Sequence, residues 1–124
     1  MTTDELLFFE RLPRFLPVYE ALKDTLAARY PEMTVKVTKT QISFRSRYVF
    51  AMVSLPYRRK KEWPKEYLLV SFGLPAEESS PRIAASVEAY PGRFTHHVLV
   101  ERTEDLDAEL LGWIDEAYRF SLVK

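Results

Sequence analysis

MTVKVTKTQISFRSRYVFAMVSLP (33–56), a basic run RRKKEWPKE (58–66) and YLLVSFGL (67–74) form the stretch whose periodicity decides the fold. Met33, Val35 and Val37 alternate with Thr34, Lys36 and Thr38, the period of two that arises when one strand face is buried and the other meets water. Ile42 and Phe44 continue the alternation against Gln41, Ser43 and Arg45, which gives a second short strand. From Tyr48 to Leu55 the run is mostly apolar, as in a strand covered on both faces, so it belongs near the centre of the sheet. Tyr67 to Leu74 is rich in β-branched and aromatic residues, and Pro75 ends it.

Outward from this sheet lie helices. Thr2 followed by Glu5 has the form of a capping box, and Leu6, Phe9 and Leu12 predict a short helix ended near Pro13. Pro17 suits the first turn of a second helix with Val18, Leu22 and Leu26 as its apolar stripe, closed at Tyr30-Pro31. Beyond the first strands, PAEESSP (75–81) reads as a flexible connection, and Pro91-Gly92 as a hairpin turn. With Tyr90 and Arg93 as closing pair, Val87 faces His96 and Ser86 faces His97. That register puts Ile83, Ala85, Val87, Ala89, Phe94, His96, Val98 and Val100 on one side. A last helix follows, with Asp105 and Asp107 in its first turn and Leu106, Leu110, Trp113 and Ala117 as its stripe. The expectation is an α+β single domain over residues 1–124. It has one antiparallel sheet of about five or six strands within 33–101. Two N-terminal helices within 3–30 and one C-terminal helix over 104–121 pack on one face.

Composition excludes several classes. The chain has 124 residues and no cysteine, so disulfide frameworks, thiolate zinc sites and cysteine nucleophiles are absent together. Three glycines leave no phosphate loop or dinucleotide fingerprint, and no cofactor is expected. The N-terminus carries acids where a signal peptide would be basic, and no apolar run approaches the ~20 residues of a bilayer span, so a cytoplasmic protein is expected. Net charge is zero, but from Met33 to Lys65 nine cations face one acid, Glu62. From Glu101 onward, seven acids face three cations. Such a separation of charge steers anionic partners toward the basic stretch.

Candidate sites follow from these patterns. His96 and His97 are strand neighbours that point to opposite faces, so they cannot share one metal ion without a bulge, and no metal is expected. His96 falls on the core side and His97 on the more polar side with Ser86, Glu88 and Thr95. The polar sheet face also gathers Lys36, Thr38, Gln41, Ser43, Arg45 and Ser71, a shallow site for an anion or a small polar ligand. Ser43, His97 and Glu88 supply the residue types of a hydrolase triad, but no G-x-S-x-G elbow or glycine-rich oxyanion segment accompanies them. In the basic run, Arg58, Arg59, Lys60, Lys61 and Lys65 surround Trp63, the composition of a nucleic-acid contact or of a solvated loop with the indole folded back.

In Thr38-Lys39-Thr40-Gln41-Ile42-Ser43-Phe44, Ser71-Phe72-Gly73-Leu74, Pro81-Arg82-Ile83, His96-His97 and Glu116-Ala117-Tyr118, the chain resembles an uncharacterised bacterial and archaeal family of domains of unknown function, some of them labelled predicted transport proteins. The resemblance covers nearly the whole chain and implies that the Thr-Lys-Thr-Gln strand, Arg82 and the histidine pair are its motif positions. Two function classes stand at this point. One is a non-catalytic binding module whose basic face meets an anionic partner: nucleic acid, a phosphorylated metabolite or an acidic protein surface. The other is a small enzyme with a shallow polar site around Lys39, Gln41, Arg82 and His97, to which Arg45 adds charge.

Overall fold

The alternation around Ile42 becomes two opposed sets of side chains on a single sheet. The computed structural model describes residues 1–56 and 60–123. Its elements run α1 (Thr3–Phe8), a 3-10 turn (Pro13–Phe15), α2 (Leu16–Arg29), β1 (Thr34–Val37), β2 (Ile42–Arg45), β3 (Val49–Ser54), β4 (Leu68–Leu74), β5 (Ile83–Tyr90), β6 (Arg93–Val100), a second 3-10 turn (Thr103–Asp105) and α3 (Ala108–Leu122). Six strands pair antiparallel in the order β1-β2-β3-β4-β6-β5, as the α+β reading expects. The nearly unbroken apolar runs are the two central strands, and every residue of β4 is buried.

Residues opposite one another in a ladder share a face. Val35, Phe44, Ala51, Phe72, His96 and Ser86 form one row across all six strands. Tyr19 of α2 stacks on Phe44 at 6.2 Å and Trp113 of α3 on Phe72 at 5.8 Å, so both long helices cover this face. The neighbouring row, Lys36, Ser43, Met52, Ser71, His97 and Ala85, looks the other way.

Local chemistry sets the ends of the helices. Thr2 and Glu5 form the expected capping box, but α1 stops at Phe8, because Pro13 opens a 3-10 turn that leads into α2. Asp107 is the N-cap of α3, its Oδ1 accepting from Leu110 N at 3.0 Å, so this helix begins at Ala108 rather than near residue 104. Asp105 instead closes the preceding turn by accepting from the Glu101 and Arg102 amides.

Bulges account for the departures in register. Tyr90 and Arg93 do close the last hairpin around Gly92, whose φ is +81°. One residue earlier the ladder slips, so that Ser86 faces His96 and Ala85 faces His97, one residue off the expected pairing. Val87 therefore turns away from His96 and is 57% exposed, and Glu88 lies across from Phe94 rather than beside His97. A second slip, where Phe44 pairs with Ala51 and Arg45 with Val49, swings Phe50 into the helix layer against Tyr30 and Tyr118.

The connection 75–81 is fastened at several points. Glu78 N donates to His96 Nε2 at 2.8 Å, Ser86 Oγ donates to Glu77, and Ser80 Oγ donates to Glu109 at 3.2 Å.

Candidate functional site

The Thr-Lys-Thr-Gln motif builds the tip of the β1–β2 hairpin rather than a strand. Thr38 N donates to Gln41 O at 2.9 Å, closing a loop of Lys39 and Thr40. The described residues contain no positive φ outside glycine, so the turn is not of the kind that asparagine and glycine usually supply. Thr38 compensates: its hydroxyl donates to Gln41 O at 3.0 Å and accepts from Gln41 N at 3.2 Å. The Thr38 and Gln41 amides are consumed internally, the Lys39 side chain is exposed and Gln41 is half-buried.

Next to this tip lies an open pocket of about 460 Å³ on the sheet face opposite α2 and α3. Lys39, Thr40 and Gln41 form one rim. Met52, Ser54 and Leu55 from β3 and its end, Leu69 and Ser71 from β4, and His97 from β6 form the floor. Phe8 and Arg11 reach over from the α1 end. Arg11 is held in place by donating from Nη2 to Pro56 O at 2.7 Å. Lys39 belongs to no ion pair among the described residues. Among the described residues no carboxylate lines the pocket; Asp4 lies in an adjoining depression that shares Phe8 and Lys39.

His97 and Ser71 are cross-strand partners, and Ser71 Oγ lies 2.7 Å from His97 Nδ1. Burial, followed by the charges of His96 and Lys60, pushes the His97 pKa below its ordinary value, so the ring is neutral at physiological pH. A neutral imidazole bonded to serine through Nδ1 keeps Nε2 for a ligand, as donor or acceptor according to the tautomer. Gln41 Nε2 donates to Ser43 Oγ at 3.2 Å, which aims the amide along the same face.

Of the candidate residues, Lys39, Gln41 and His97 thus border one pocket, and two others lie elsewhere. Arg45 is exposed at the far end of β2, four residues from Gln41 and so about 13 Å along the strand. Arg82 stands on the helix side, where Nη1 meets Asp107 Oδ2 at 2.6 Å and Nη2 donates to Asp105 O at 2.9 Å, pinning β5 to the start of α3. The grouping of Ser43, His97 and Glu88 does not assemble, since the bulge carries Glu88 to the other face. His96 is fully buried and has its own partners, so the two imidazoles diverge as strand geometry requires. Among the described residues no cluster of potential metal ligands occurs.

In the basic loop, Arg58 and Arg59 lie outside the described residues. Lys60, Lys61 and Lys65 are exposed, and Trp63 sits edge-on to Tyr67 at 5.7 Å with Lys60 Nζ 4.6 Å above its ring. The indole is folded back and capped by a lysine, an arrangement unlike an open stacking platform. Phe8 and Arg11 escaped the sequence reading because they fall off the apolar stripe of α1. The Phe8-Phe9 pair was the available signal, one ring entering the core and the other the pocket.

Comparison with known proteins adds one match. Residues 8–121 match the family model described as a domain of unknown function, DUF5655. No curated protein and no solved structure matches the chain. No helix among the described residues is long and apolar enough to cross a membrane.

Proposed function

The chain belongs to the DUF5655 family of domains of unknown function, and we propose that it is a non-catalytic binding domain that takes a small anionic molecule into the pocket beside the β1–β2 tip. One observation carries the reading: a pocket of about 460 Å³ bordered by Arg11 and Lys39, with no carboxylate among its described lining residues. Neutral His97 and the Gln41 amide supply directional hydrogen bonds beside the charge. The wider partner classes, nucleic acid and acidic protein surfaces, would use Lys60, Lys61 and Trp63 together with Arg58 and Arg59 and not this pocket.

A thermal-shift screen of small organic anions tests the reading. Hits are expected to lose affinity about tenfold or more in Lys39→Glu, which leaves the unliganded melting temperature unchanged because the side chain is exposed and unpaired. The Arg58→Ala, Arg59→Ala double variant should bind as the parent does. Binding indifferent to Lys39→Glu would refute the assignment.

The Ser71–His97 hydrogen bond favours a second reading, acyl transfer with Ser71 as nucleophile and His97 as base. Weighing against it, Ser71 lies mid-strand between two paired strands, so the amides around it are spent in the ladder and offer no oxyanion site. A fluorophosphonate probe decides: labelling that vanishes in both Ser71→Ala and His97→Ala would establish the enzyme, and an unlabelled protein would end that reading.

A further inference from the structure

Resting on the anion-binding reading above, we propose that the occupant is a small monocarboxylic acid with an apolar body, its carboxylate at Lys39 and Gln41 and its hydrocarbon part against Phe8, Met52, Leu55 and Leu69. The pocket is divided in this way by its own walls. The two formal charges of the described lining sit on exposed residues, Arg11 and Lys39, whereas Leu55 and Leu69 are buried and Phe8 and Met52 half-buried. A ligand that is anionic throughout would bury charge against these four side chains at a large desolvation cost, and one that is wholly apolar would leave the two cations without a counter-charge.

Donor supply favours carboxylate over phosphate. Phosphate sites draw on clustered backbone amides from a glycine-rich loop or a helix N-terminus. Here the Thr38 and Gln41 amides of the tip are consumed by Gln41 O and Thr38 Oγ1, and one Gln41 Nε2 hydrogen goes to Ser43. Arg11 already spends Nη2 on Pro56 O. The side-chain donors left at the pocket are the Lys39 ammonium, the remaining N–H groups of Arg11, the Thr40 hydroxyl, the second Gln41 Nε2 hydrogen and, in one tautomer, His97 Nε2. Two carboxylate oxygens can be satisfied by that set. No glycine-rich loop or helix N-terminus is among the described lining residues, so the convergent backbone amides that a phosphate dianion draws on are not supplied there and a single carboxylate is the better match.

The experiment is a titration of the full chain with phenylacetate and hexanoate, against phenylacetamide as neutral isostere and phenyl phosphate as dianion, read by chemical-shift changes at the Met52 methyl and the His97 ring. Both carboxylates are expected to shift these two residues, to bind about tenfold or more tightly than phenylacetamide, and to lose about that factor in Lys39→Gln. Phenyl phosphate should be the weaker anion. If it binds more tightly than phenylacetate, the carboxylate assignment falls and the anion-binding reading survives. If no anion perturbs Met52 and His97, or if phenylacetamide binds as tightly as phenylacetate, both fall.

Discussion

Replacing His96 with alanine is expected to cost about 3–5 kcal/mol of stability, a large share of the total for a domain of this size. The ring is fully buried and lies 5.5 Å from Phe72 at an interplanar angle of 8°, extending the Trp113–Phe72 stack onto β6. Its Nε2 accepts from Glu78 N, so the proton resides on Nδ1, which donates to Phe94 O at 3.1 Å. Alanine leaves a cavity under the 75–81 connection and strands the Glu78 amide. His96→Phe separates the two contributions: it restores the stack but not the acceptor, and should recover only part of the loss. Chemical denaturation gives the cost, and amide exchange at Glu78 should speed up in both variants. A His96→Ala protein within about 1 kcal/mol of the parent would mean that the pin is not structural.

That pin also marks where the sequence stops being legible. Alternation located β1, β2 and the last hairpin because a half-buried strand must repeat every two residues, unbroken apolar runs located β3 and β4, and Ile42, Phe44 and His96 indeed face the helices. Periodicity cannot count an unpaired residue, so the slip near Ala89 shifted the expected partners of His96 and His97 by one residue, and the one at Phe50 was invisible. Lys39 and Gln41 belong to the β1–β2 tip and His97 to the middle of β6, far away in the chain. Their sharing of a face followed from alternation, but their sharing of a pocket depends on strand order, which placed β6 beside β4 and brought Ser71 to His97. Arg82 has the composition of a site residue and the surroundings of a structural one. Only the positions of Asp105 and Asp107 distinguish these.

The α1 wall of the pocket is held by a buried charge, which makes it sensitive to acid. Glu5 is 1% exposed and receives Lys23 Nζ at 2.8 and 3.0 Å, the Tyr19 hydroxyl and the Thr2 amide. Burial alone would raise its pKa, but the hydrogen bonds from Lys23, Tyr19 and Thr2 together outweigh it and bring the value from 4.5 down to about 2. Folding therefore lowers this pKa, so the stabilisation is fully present above the unfolded value and is lost as pH falls from about 4.5 toward 2, a contribution on the order of 3 kcal/mol. Lys23→Met removes the cation and leaves the carboxylate in place, which should cost about 3 kcal/mol near neutral pH. Once Glu5 in the variant takes up a proton, at about pH 3, most of that difference should disappear. Urea denaturation of both proteins at the two pH values measures the gap, and an equal gap at both would contradict the assignment. The consequence reaches the site, because α1 has little else to hold it: Leu6 and Leu7 are 50% and 60% exposed, and the anchors besides Glu5 are Phe8 and Phe9. Loosening Glu5 frees Phe8 and Arg11 from over the pocket, so Lys23→Met should weaken anion binding as well, although Lys23 is not part of the pocket wall.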